Sequence, residues 1–261
     1  MKRLFAMLIA LVMFASFAAL AESADGDLLA RIKERGTLVI ATEGNWEPWT
    51  YHDENDELTG FDIEVGKLIA EGLGVEAEFQ EAVWDSILAG VDSGRFDIAC
   101  NGVGYTEKRA EKYSFSTPYL YTPKVMIVRS DNEDITKPED LAGKTTANSS
   151  SSTYAELAEQ YGATVTYVDT LGETMQLVEQ GRVDGTINAL ASAEGYMAQH
   201  PEAELKIVFE LPGDPVAIPM RKDADSESLV TAINEILEAA RQDGSLAALS
   251  EKYFGADRTQ Q

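Results

Sequence analysis

The chain has 261 residues, 44% of them hydrophobic and 25% charged, with a formal net charge of −24. That length holds one large domain or two of about 100–150 residues, and the apolar fraction excludes global disorder. With 45 Asp plus Glu against 21 Lys plus Arg, the surface repels phosphate backbones and anionic headgroups, so no nucleic-acid partner is expected.

In chain order, Lys2 and Arg3 precede an apolar run from Leu4 to Leu20, broken only by Ser16 and closed by the small-x-small site Ala19-Leu20-Ala21. This predicts a cleaved secretory signal peptide over residues 1–21. A membrane anchor is the rival reading, but a run of about 17 residues sits at the short edge of a span. No cysteine directly follows the run, so no lipid anchor is expected. Cleavage removes two cations, takes the formal charge to −26 over the remaining 240 residues, and predicts a periplasmic protein.

From there short apolar runs alternate with amphipathic patterns. Leu28 to Arg35 reads as a helix closed by Gly36, Thr37 to Thr42 as a buried strand, and Asp62 to Leu73 as a helix. Ala77 to Ala82 is a strand, Trp84 to Asp92 a helix and Phe96 to Cys100 a strand. A second run follows: a strand at Val125 to Arg129, a short helix opened by Pro138, an extended Lys144 to Ser149 and a helix from Ser152 to Tyr161. It continues with a strand at Thr164 to Val168, a helix capped by Thr170 through Gln180, a strand at Val183 to Asn188, a helix at Ala191 to Gln199 and a strand at Lys206 to Leu211. Val216 to Met220 is a further strand, and two helices close the chain. Two α/β units of this size predict sheets with helices on their faces. The run Ser149 to Ser152 reads as a capping or anion-facing turn, with a linker as the plain alternative.

No G-x-S-x-G, H-E-x-x-H, Walker-type or G-x-G-x-x-G motif is present. Cys100 is the single cysteine and reads as a buried structural thiol; His52 and His200 read as solvated. Neither a metal nor a cofactor is expected. Polar and aromatic residues instead gather after strands, where open α/β sheets bind ligands: Glu43 to Trp49 after the first, and Asn101 to Arg109 after the third. Thr106 can cap a helix whose start lies near Arg109. An arginine there can grip a carboxylate by two parallel hydrogen bonds; on spacing alone, pairing with a surface acid is an equal reading.

These segments resemble bacterial extracellular solute-binding proteins of family 3, in the polar amino-acid branch that serves ABC importers. The matched pieces are Gly60-Phe-Asp-Ile-Glu-Val, Asp85 to Asp97, Tyr105-Thr-Glu-Lys-Arg109, Phe115-Ser-Thr-Pro-Tyr119, Asp140-Leu-Ala-Gly-Lys144, Gly181-Arg-Val-Asp184 and Asp243-Gly-Ser-Leu through Lys252-Tyr-Phe-Gly255. Ala41 to Trp46, Trp84-Asp and Leu249 to Asp257 look most like cystine-binding members. The resemblance implies a type II periplasmic-binding-protein fold, α/β, with a second lobe (126–214) inserted into the first (27–125 plus 215–255), two hinge strands and a tail at 256–261. It implies a monomer that traps an amino acid or related small carboxylate between its lobes and delivers it to a membrane permease.

In site terms, the resemblance makes Trp46 a stacking aromatic and Trp84 a second apolar wall. The loop holding Asn101, Gly102, Gly104 and Thr106 becomes a source of hydrogen bonds, and Arg109 with the turn at Ser152 and Thr153 becomes the carboxylate grip. One departure stands out: where the family carries an acid facing the ligand ammonium, this chain has Ala189. Glu43 or Asp214 would then serve, with Asn188 as a neutral acceptor, or the ligand lacks an ordinary ammonium group. A cyclohexadienyl dehydratase-like enzyme on the same fold and a ligand-sensing domain are the alternative functions.

Overall fold

The computed structural model describes residues 27–260, so the expected signal peptide lies outside the described residues. Asp27 caps α1 (Leu28–Arg35) by accepting the Leu29 N–H at 2.9 Å, and Gly36 ends it in the left-handed region at φ 75°. β1 (Thr37–Thr42) follows, with Leu38, Ile40 and Ala41 fully buried. β2 (Asn45–Trp46), β3 (Thr50–His52) and β4 (Leu58–Thr59) form a small antiparallel sheet that the sequence reading missed, because strands of two or three residues show no periodicity. α2 (Phe61–Leu73) buries Phe61, Ile63, Val65 and Ile69. Next come β5 (Glu76–Glu81), α3 (Trp84–Asp92) and β6 (Ile98–Ala99). β5, β1 and β6 pair in parallel in that order, the layout short helical crossovers dictate. The expected strand at 96–100 shrinks to Ile98 and Ala99. Cys100 is buried beside it, and burial pushes its thiol well above the ordinary value.

After α4 (Glu107–Ala110), β7 (Tyr113–Phe115) and β8 (Leu120–Tyr121), the chain crosses into a second sheet. β9 (Lys124–Arg129), β10 (Thr145–Asn148), α5 (Thr153–Gln160), β11 (Thr164–Tyr167), α6 (Leu171–Glu179), β12 (Gly185–Ala189), α7 (Leu190–Gln199) and β13 (Leu205–Leu211) build this lobe. Its strands run in the order β11-β10-β12-β9-β13, with β9 antiparallel to both its neighbours. β9 contributes Val125, Met126, Ile127 and Val128 to the core, all at 0% exposure, as a central strand should.

The chain returns through β14 (Pro215–Val216) and β15 (Pro219–Arg221), which pair antiparallel with β8 and β7 respectively. The single strand expected at 216–220 is thus two, hydrogen-bonded to different partners. The crossing segments pass so closely that a Cβ on Gly213 would lie 1.6 Å from the Thr122 carbonyl oxygen, so only glycine fits there. α8 (Glu227–Gln242) lays Leu229, Ile233 and Leu237 against the first lobe, and α9 (Ser245–Phe254) follows. Residues 256–260 are docked rather than loose: the Tyr121 N–H donates to the Arg258 carbonyl at 2.8 Å, and Thr259 is buried. The architecture is the two-lobed type II solute-binding fold, with a second α/β unit inserted into the first.

Candidate functional site

The ends of β1, β6, β10, β11 and β12 meet across the interlobe cleft. Between them lies a chamber of about 580 Å³, including its open mouth. From the first lobe it is lined by Glu43, Trp46, Trp84, Asn101, Gly102, Gly104 and Arg109. From the second it is lined by Ser152, Thr153 and Asn188, by Ser149 of the expected serine turn, and also by Asn148, Tyr154, Asp169, Leu171 and Thr174, none of which the sequence reading singled out. The signal for these was available: Asn148 ends β10 and Asp169 follows β11, so the strand-end rule applied to the first lobe would have found them in the second.

Trp46 stacks on Trp49 with ring centroids 5.0 Å apart, and both rings lie over Gly102. A Cβ on Gly102 would fall 2.6 Å from Trp46 Cζ3, and its φ of 56° is itself left-handed. Gly102 is held from below by Asp62, which accepts its backbone N–H and the Tyr119 hydroxyl, the latter at 2.8 Å. Full burial pushes the Asp62 carboxyl to about 7, against the pull of those two hydrogen bonds. Asn101, fully buried, joins three segments: its Oδ1 accepts from Glu43 N at 2.8 Å and Thr50 Oγ1 at 3.2 Å, and its Nδ2 donates to Glu43 Oε2 at 2.6 Å.

Arg109 is the cation of the chamber. Its guanidinium donates to the Gly104 carbonyl at 2.9 Å and, across the cleft, to the Ser151 carbonyl at 3.0 Å. It also lies over the Trp84 ring, 5.3 Å from the centroid. Among the described residues no carboxylate lies within ion-pair distance of it, and burial pulls its pKa below the usual arginine value. Two carboxylates line the chamber, Glu43 and Asp169; burial pushes Glu43 to about 7, with Asp85 adding to the rise and the Asn101 hydrogen bond opposing it. Two buried side-chain atoms in the chamber wall have no hydrogen-bond partner: the Trp84 indole N–H and Asn148 Oδ1. A donor and an acceptor left open beside a cation is the complement of a small polar ligand.

Thr106 stands apart from this set. Its hydroxyl accepts the Arg109 backbone N–H at 3.1 Å as the cap of α4, and it does not line the chamber. Ala189 is fully buried and also off the lining, whereas Asn188 beside it faces in. Asp214, named as a substitute acid, pairs with Lys124 at 2.8 Å in an adjoining hollow. The serine run does meet an anion, but one of the protein's own. Ser150 Oγ donates to Asp85 at 2.6 Å, Ser151 donates to it through N–H at 3.0 Å and Oγ at 2.6 Å, and Ser152 caps α5. Trp49 Nε1 to Ser192 Oγ at 3.1 Å, Lys108 to Glu156, and Gln199 to Glu47 complete the ties between lobes. Among the described residues no group of three His, Cys, Asp or Glu is placed to hold a metal, and no helix is long and apolar enough to cross a membrane.

A family model described as bacterial extracellular solute-binding proteins, family 3, matches residues 38–256. The L-cystine-binding protein TcyA of Bacillus subtilis is 40% identical over 263 residues, covering 96% of this chain and 97% of that protein. A probable amino-acid ABC transporter-binding protein of Haemophilus influenzae is 39% identical over 235 residues, covering 90% and 91%. Among solved structures, an ancestral arginine-binding protein bound to glutamine superposes with a TM-score of 0.80 at 36% identity, covering 85% of this chain and 99% of that one.

Proposed function

This chain belongs to the bacterial extracellular solute-binding proteins of family 3, and from that premise we propose that it captures an amino acid between its lobes and hands it to the membrane permease of an ABC importer. The lobes we take as 27–125 with 215–255, and 126–214. The observation that carries the reading is Arg109: a desolvated guanidinium, fixed by two carbonyls and an indole face, with no carboxylate of the protein on it. A half-buried cation with no carboxylate in contact, only the longer-range pull of Asp214 and Glu156, is incompletely compensated, and a ligand carboxylate completes it. Ser152 and Thr153 close on the same carboxylate from the second lobe, Trp46 and Trp84 sandwich the ligand, and Glu43 with Asn148 Oδ1 takes its ammonium in place of the acid missing at position 189.

The relatives' names narrow the ligand class: TcyA binds L-cystine, and a solved neighbour binds glutamine. We place the working protein outside the cytoplasm, in the periplasm after removal of residues 1–21 and without a lipid anchor. Its reading as a binding protein involves no covalent step. Contacts from both lobes let the ligand shift the population from open to closed, and the closed form is what the permease meets.

A thermal-shift screen of amino acids tests this. A ligand at about 100 times its Kd adds roughly 2.7 kcal/mol, worth about 5–10 °C in a protein of this size. Such a rise with at least one α-amino acid, and none with its α-amide, is the expected outcome. No shift with any α-amino acid overturns the reading.

A further inference from the structure

Trp49 lies behind the chamber wall, not on it. It is buried, and its ring stands 5.0 Å from that of Trp46 with the two planes only 8° apart. From the first lobe it is boxed by Phe61, edge-on at 6.2 Å, and by Phe254 of α9 at 5.1 Å. From the second lobe it receives a directional contact: Trp49 Nε1 donates to Ser192 Oγ of α7 at 3.1 Å. Ser192 is fully buried, so this bond crosses between the lobes away from water. Seven residues further along α7, on the same helix face, Gln199 donates to Glu47 of the turn that carries Trp49. Helix and turn are therefore registered at two points.

Aromatic packing alone does not require this bond. A phenylalanine at position 49 would give Trp46 a face to stack on with no buried N–H to satisfy, and alanine at position 192 would suit a helix better than serine. The indole N–H with a buried acceptor adds direction. Offset stacks tolerate sliding and tilting, whereas an N–H···O bond weakens steeply as it bends. The bond thus fixes how the Trp49 plane is turned, and a ring parallel to it at stacking distance takes the same turn. Gly102 closes the remaining side: a Cβ there would fall 2.6 Å from Trp46 Cζ3 and 3.0 Å from Trp49 Cε3, so both rings bear on one stretch of backbone. The chain has three tryptophans, and their N–H groups are used differently: that of Trp84 is left open in the chamber wall, while that of Trp49 is committed to the opposite lobe.

We propose that Ser192 is a positioning residue for ligand stacking: acting through Trp49, it gives the second lobe control over the tilt of Trp46, a wall of the first lobe's half of the site. Ser192 does not line the chamber and acts only through the tryptophan pair. The proposal rests on the reading of Trp46 as a ligand-facing wall and adds to it a control held by the other lobe.

Circular dichroism and calorimetry of the exported chain test it together. Two stacked indoles give an exciton couplet whose shape follows their mutual orientation, and Trp46→Phe identifies that couplet by abolishing it. Ser192→Ala leaves the Trp49 N–H without its acceptor, so the ring turns and the couplet changes shape. The standard amino acids and L-cystine are titrated into wild type, and the tightest binder is carried to the variant. Its affinity falls roughly 3- to 10-fold, the value of a well-set aromatic stack. Should Ser192→Ala fail to fold, Ser192→Cys replaces it, close in shape and only a weak acceptor. A couplet identical to that of wild type overturns the proposal whatever the affinity does, because a merely structural serine can weaken binding without turning Trp46. A changed couplet with affinity within a factor of two of wild type overturns it as well, since the tilt then means nothing to the ligand. Wild-type protein that binds none of these amino acids overturns the reading beneath it, and the couplet alone then decides whether Ser192 sets the tryptophan pair.

Discussion

At the scale of single residues, Glu43 makes the sharpest pH prediction. Burial lifts its pKa from 4.5 to about 7, so the folded state holds a proton there that the unfolded chain has already released. Stability from this group is therefore full below about pH 4.5 and declines as pH rises toward 7. The shift corresponds to about 3 kcal/mol at 1.36 kcal/mol per unit. Glu43→Gln keeps a partner for Asn101 and removes the titration. Urea denaturation without ligand should find the variant more stable than wild type at pH 8, by up to about 3 kcal/mol, and nearly equal at pH 4.5. Asp62, raised for the same reason, slopes the same way in both proteins and cancels. An equal difference at the two pH values would contradict the assignment. For ligand binding the sign reverses: Glu43 must be ionised to hold an ammonium, so affinity for an amine-bearing ligand falls between pH 8 and pH 6.

Elements carry the closure. The N-terminal turn of α3 presents Asp85 to the serine turn that precedes α5, and three hydrogen bonds join the lobes there. Partial burial raises the Asp85 pKa, but the Ser150 and Ser151 hydrogen bonds outweigh it and hold the carboxyl below its ordinary value. Removing an exposed, charged acceptor of this kind costs about 1–2 kcal/mol of closed-state preference. Asp85→Ala should release ligand roughly 5–30 times faster in stopped-flow displacement, with little loss of Tm in the ligand-free protein; an unchanged off-rate would show that the latch lies elsewhere. A second element-scale prediction concerns α6, where Thr170 and Glu173 form a reciprocal cap. Thr170→Ala should cost about 1 kcal/mol in denaturant titration. This cap was visible in the sequence because its parts lie three residues apart. The Asp85 latch was not, because 65 residues separate Asp85 from Ser150 and nothing local marks the pairing. The same holds for Lys124 and Asp214, and for β2 to β4, whose strands are held by pairing and not by pattern.

For the whole molecule, the order of strands and helices was legible from periodicity and caps, and the strand-end rule marked Glu43, Trp46 and the loop from Asn101 to Arg109; the inserted second unit and the place of Trp84 came only with the family resemblance. The second-lobe wall was less legible: Asn148, Tyr154 and Asp169 sit on ordinary helix and strand ends and acquire meaning only when the lobes face each other. The assembled picture is of two lobes on a pair of crossing segments, tied together at the rim, with the proposed ligand at the centre. Its central claim is that Arg109 holds the ligand's carboxylate. Titration calorimetry of the best-binding amino acid against wild type and Arg109→Ala tests that claim most directly. We expect a loss of about 2–5 kcal/mol in the variant, the range for breaking a buried charge pair; an affinity within a factor of two of wild type would contradict it.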